Sequence, residues 1–133
     1  MGSNIFIADD DPLVIDLLTF KLKRAGHTVS FSSDGEAAIL QLNSEPVDLI
    51  ILDVLMPGVD GIEFIRQLKA NLITRDIPVI FLSGQWQEQD MLEAFQAGAE
   101  DYVTRPFSPA ELMARIEKAL ARKAEKDEDD GLF

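Results

Sequence analysis

Two stretches of this chain are apolar without a break and end at a polar residue. Leu49-Ile50-Ile51-Leu52 runs into Asp53, and Val79-Ile80-Phe81-Leu82 runs into Ser83. A strand with one wet face alternates apolar and polar side chains. A strand that is apolar throughout must be covered on both faces, as in a parallel sheet lying between two layers of helices. Three more β-rich runs, Asn4–Ala8, Thr28–Ser32 and Asp101–Thr104, bring the expected strands to five, with the fourth starting at Pro78.

Between these runs apolar residues recur at helical spacing. Val14, Leu17, Leu18, Leu22 and Ala25 mark the first expected helix face, Ile62, Ile65, Leu68 and Leu72 the third, and Leu112, Met113, Ile116, Ala119 and Leu120 the last. The punctuation agrees. Asp11-Pro12 supplies an N-cap followed by a Pro at the first helical position, and Ser108 with Glu111 reads as a capping box. Ser33 with Glu36 is a second candidate box, and Gly26 and Gly98 stand where helices should stop. The reading is an α/β fold with a five-stranded parallel sheet, and 133 residues leave room for one domain. That domain is expected over residues 4–123. Residues 124–133, with the acidic run Glu125–Asp130, are expected to form a solvated, disordered tail.

Acidic residues outnumber basic ones by 24 to 12, for a net charge of −12. Such a field repels phosphate backbones and anionic headgroups, so neither nucleic acid nor membrane is expected as a direct partner. The sequence lacks the apolar run of ~20 residues that spans a bilayer and begins without a signal-peptide pattern, and a cytoplasmic protein is expected. Cysteine is absent, which removes disulfides and thiolate chemistry.

Right-handed crossovers place the C-terminal ends of all five strands on one edge, where open α/β sheets bind their ligands. The residues there are Asp9-Asp10-Asp11, Ser32-Ser33, Asp53, Ser83 and Arg105. An Asp after a strand is commonly only a helix cap, and Asp11 is read as one. Asp53 is different, because it follows four apolar residues, precedes a Pro57-Gly58 turn, and falls beside Asp9 and Asp10 if the first and third strands are neighbours. Crowded carboxylates are relieved by protonation or by a hard cation, and an oxygen-only donor set favours Mg²⁺ or Mn²⁺. The Ser83 hydroxyl and the Arg105 cation complete a pocket suited to a phosphoryl group. An Asp in such a pocket can serve as a nucleophile that forms an aspartyl-phosphate.

The segments Ile7-Ala8-Asp9-Asp10-Asp11, Leu52 to Gly61, Phe81-Leu82-Ser83-Gly84 and Gly98 to Phe107 together resemble the receiver domain of bacterial two-component response regulators. The resemblance covers about residues 4 to 123 and implies a doubly wound, flavodoxin-like sheet in the order 2-1-3-4-5 with five helices. It implies that Asp53 accepts a phosphoryl group from the phosphohistidine of a sensor histidine kinase or phosphotransfer protein. Asp9, Asp10, Asp53 and the backbone carbonyl of Leu55 would hold Mg²⁺. Ser83 would bond the phosphoryl oxygen, and Tyr102 would turn inward in response. The face formed by the fourth helix, fifth strand and fifth helix would then change its affinity for a downstream effector. Such a chain is a switch that phosphorylates and dephosphorylates only itself, rather than an enzyme acting on others.

One position departs from that pattern. The family places Lys before the Pro-Phe pair and this chain has Arg105, a longer planar fork in place of a compact charge. The resemblance also implies a cis Arg105-Pro106 bond. Leu55, two residues past the acceptor, cannot orient water, so slow self-dephosphorylation is expected, with Gln85 as a polar substitute. Leu55 also counts against an aspartate-nucleophile phosphatase of the haloacid dehalogenase type, which needs a carboxylate there. A degenerate receiver acting as a constitutive interaction module is the other alternative, resting on Arg105 alone. A flavin-binding reading fails for want of a Ser/Thr-rich loop after the first strand. Trp86 reads equally as a binding anchor or a lid, His27 as a solvated loop residue, Met91 and Phe95 as core, and Phe107 as packing beneath the turn after the fifth strand.

Overall fold

In the computed structural model the described residues are 2–53, 60–83 and 88–131, with only the backbone described for Ser83 and residues 129–131. The elements are β1 (Asn4–Ala8), α1 (Pro12–Arg24), β2 (Thr28–Ser32), α2 (Gly35–Ser44) and β3 (Leu49–Asp53), followed by α3 (Gly61–Ala70), β4 (Val79–Ser83), α4 (Glu88–Ala97), β5 (Asp101–Thr104) and α5 (Pro109–Gly131). All strand pairs are parallel and the sheet order is β2-β1-β3-β4-β5. This is the expected α/β architecture.

Alternation along the strands divides the core in two. Phe6, Ala8, Ile50, Leu52, Val79, Phe81 and Tyr102 face Ala38 and Leu42 of α2, Phe64, Ile65 and Leu68 of α3, and Ala94 of α4. On the other side Ile5, Ile7, Leu49, Ile51, Ile80, Leu82 and Val103 face Ile15, Leu18 and Leu22 of α1 and Leu112, Ile116 and Ala119 of α5. The unbroken apolar runs therefore serve two half-cores. Among the described residues no helix is long and apolar enough to cross a membrane.

Several caps form as expected. Asp11 accepts from the Leu13 amide at the start of α1, and Ser108 Oγ accepts from the Glu111 amide. Gly26 and Gly98 end their helices at φ 96° and 118°, a region in which a β-carbon is strained. The α2 cap is Asp34 rather than Ser33, its Oδ1 taking the amides of Glu36 and Ala37.

Other details correct the sequence reading. On α1 it is Ile15 that is buried, while Leu17 is exposed together with Leu13 and Phe20. Leu72 lies beyond the end of α3 and is exposed. Phe95 also faces solvent, whereas Met91 and Phe107 pack against the core as expected. His27 is not solvated. The Ser3 amide donates to its Nδ1 at 3.0 Å, which leaves the proton on Nε2 to be donated to Glu117 Oε1 at 2.8 Å. The expected disordered tail continues α5 as helix to Gly131, supported by Lys123 pairing with Asp127 at i,i+4 and by Lys126 reaching Asp76.

Candidate functional site

Strand order reverses between β1 and β3, and the crevice past their C-terminal ends is where the site residues gather. Register pairs Ala8 with Leu52, which sets Asp9, the residue after β1, beside Asp53, the last residue of β3. Asp53 in turn pairs with Leu82, so Ser83 and Thr104, paired one step further on, end β4 and β5 on the same rim. Arg105 follows directly, and its bond to Pro106 is cis, as the resemblance implied.

Asp9 is 1% exposed and Asp53 3%, whereas Asp10 is open to solvent. One carboxylate oxygen from each lies within 4.8 Å of the other two. Asp9 Oδ1 accepts the Asp11 amide at 2.9 Å, and Asp9 Oδ2 accepts Arg105 Nη2 at 2.6 Å. The same Nη2 stands 3.4 Å from Asp53 Oδ2. Burial pushes the Asp9 carboxyl up to about 6 against the Asp11 amide, which lowers it; the Asp53 charge and hydrogen bond add to the rise and Arg105 opposes it. A cluster of carboxylate oxygens with two of its three members buried fits a hard divalent cation, whose charge relieves the same repulsion.

The structure thus brings together Asp9, Asp10, Asp53 and Arg105. Leu55, Gln85 and Trp86 lie outside the described residues, as does the side chain of Ser83. Tyr102 is buried, with its ring centroid 5.5 Å from that of Phe81, and its hydroxyl has no hydrogen-bond partner among the described residues. Sequence reasoning did not single out Arg115. It chelates Asp101 at 2.7 and 2.9 Å and also bonds Glu111, which ties α5 to the start of β5 and raises the guanidinium pKa. The i,i+4 spacing of Glu111 and Arg115 was the available signal.

The chain is similar to known proteins in sequence and in fold. The chain is 39% identical over 122 residues to the phosphate regulon transcriptional regulatory protein PhoB of Escherichia coli, covering 92% of this chain and 53% of that protein. It is 39% identical over 125 residues to the alkaline phosphatase synthesis transcriptional regulatory protein PhoP of Bacillus subtilis, covering 94% and 51%. The chain therefore spans about half the length of these curated relatives. A solved response regulator from Chloroflexus aurantiacus superposes with a TM-score of 0.86 at 34% identity, covering 91% of this chain and 99% of that one. The family model of the response regulator receiver domain matches residues 5–117, and the chain belongs to that family of two-component signalling switches.

Proposed function

We propose that Asp53 is the phosphoryl acceptor of a Mg²⁺-dependent switch acting in the cytoplasm. The donor is the phosphohistidine of a sensor histidine kinase or phosphotransfer protein. An Asp53 oxygen attacks phosphorus, the P–N bond breaks with its electron pair passing to the imidazole, and that ring takes up a proton as it leaves. The observation that carries this reading is the convergence of Asp9, Asp10, Asp53 and Arg105 at the strand-order switch point.

Asp9, Asp10 and Asp53, with the Leu55 carbonyl, would hold Mg²⁺, or Mn²⁺ in its place. The cation would supply charge neutralisation at the phosphoryl oxygens. Asp11, through its amide, holds Asp9 in place. Ser83 donates its hydroxyl to a phosphoryl oxygen, and Arg105 supplies a cationic donor to another. The buried Tyr102 hydroxyl couples this rearrangement to the face of α4, β5 and α5, which changes its affinity for a downstream effector protein or domain. The shift between states is limited by the contacts that the phosphoryl group makes in one state and not in the other.

Incubation with acetyl phosphate and Mg²⁺, read by intact mass, tests the reading. The expected result is the addition of one phosphoryl group, abolished by chelator and by Asp53→Asn. Undiminished labelling in Asp53→Asn would overturn it.

A further inference from the structure

Arg105 occupies one oxygen of a carboxylate that the acidic cluster offers to a divalent cation. Asp9 has two, and both are engaged: Oδ1 by the Asp11 amide at 2.9 Å and Oδ2 by Arg105 Nη2 at 2.6 Å. The Asp11 bond is local, between residues two apart at the turn into α1, and belongs to the backbone that positions the carboxylate. The Arg105 bond is long-range, made by a side chain that follows the edge strand β5 and is three strands away from β1 in the sheet. Nη2 also stands 3.4 Å from Asp53 Oδ2, so a single nitrogen bridges the two most buried carboxylates of the cluster.

Among the described residues the guanidinium is held through Nη2. Its Nε is buried with no hydrogen-bond partner among the described residues. A fork gripping two carboxylates bidentately would be costly to displace, but one with an unpaired buried donor loses less on leaving and gains when an oxygen-rich group arrives to pair that donor.

We propose that Arg105 is the resting counter-ion of Asp9, and that a divalent cation enters the cluster by exchanging with it, releasing the guanidinium for the phosphoryl group that Asp53 receives. This rests on the reading of Asp53 as acceptor and of the acidic cluster as the cation site. Cation loading and delivery of Arg105 are then one event, and the intrinsic affinity of the site for Mg²⁺ is lowered by the cation already there.

Mg²⁺ titration by calorimetry of the native chain, Arg105→Met and Arg105→Lys tests the exchange. Arg105→Met, uncharged and of similar reach, is expected to bind Mg²⁺ at least tenfold more tightly than the native chain. Arg105→Lys should fall between them, as a compact charge that bridges the two carboxylates less well. In the native protein, where no variant need fold, the Arg105 Nε–H resonance should shift during the titration and saturate with the calorimetric dissociation constant. Equal affinities, or an Arg105 resonance unmoved at saturation, would overturn the exchange while leaving Asp53 as acceptor. Failure of every chain to bind Mg²⁺ would overturn the exchange and the cation reading together.

Discussion

Replacing Asp9 by Asn should make this protein more stable, although the side chain lies at the centre of the proposed site. The Asp9 carboxyl stands at about 6 in the fold against an ordinary 3.8. A group whose pKa is raised by folding holds its proton more tightly in the native state. Stability is therefore lost as pH climbs from about 4 to about 6, and above that window the ionised carboxylate burdens the fold in full. At roughly 1.4 kcal/mol for each tenfold change, the gap amounts to about 3 kcal/mol at neutral pH. Asn keeps an oxygen for the Asp11 amide and cannot ionise, so Asp9→Asn recovers up to that amount, equivalent to roughly 10 °C in Tm for a domain of this size. Urea unfolding in chelator at pH 7 and pH 4 is the assay. The expected result is a large advantage for the variant at pH 7 that vanishes at pH 4. Saturating Mg²⁺ should stabilise the native chain more than the variant, because the cation binds the ionised carboxylate. A variant no more stable than native at pH 7, or equally favoured at pH 4, would refute the electrostatic argument.

His27→Ala strands the Ser3 amide and Glu117 and should cost about 1–3 kcal/mol by urea unfolding, while Glu117→Gln, which still accepts from Nε2, should cost less than half as much. An unaltered midpoint in His27→Ala would show that the clamp contributes nothing. Gly98→Ala forces a β-carbon into φ 118° and to 3.0 Å from Lys69 Cγ, and a loss of about 1–2 kcal/mol is expected; a neutral result would mean that the helix end relaxes. Leu55→Asn should speed decay of the phosphorylated form on the order of tenfold, a barrier change near 1.4 kcal/mol, by placing a polar group where water must be oriented. An unchanged lifetime, followed by intact mass, would assign that task elsewhere.

The strands are legible because unbroken apolar runs have one structural use, and the edge rule then points to Asp9, Asp53, Ser83 and Arg105. Helix faces were less legible where apolar residues exceed what one face can bury. On α1 the set Leu13, Leu17 and Phe20 has its own helical period, so spacing alone could not decide that Ile15 faces inward. The environment of His27 is not legible locally because its partner Glu117 is 90 residues away, on α5. The helical extension of α5 was hidden by its acidity, which suggested fraying, whereas the i,i+4 pair of Lys123 and Asp127 and the reach of Lys126 to Asp76 support the helix. Within the site, residue types revealed which groups meet. Which oxygen Arg105 would take depends on the path of the β5–α5 turn, and no spacing rule encodes that.

The most direct test is chemical. After phosphorylation with acetyl phosphate and Mg²⁺, borohydride reduces an acyl phosphate on aspartate to homoserine, and peptide mapping then locates the converted residue. Homoserine is expected at position 53 and nowhere else, with none formed when Mg²⁺ is withheld. Conversion at Asp9, Asp10 or any other carboxylate, with Asp53 intact, would contradict it.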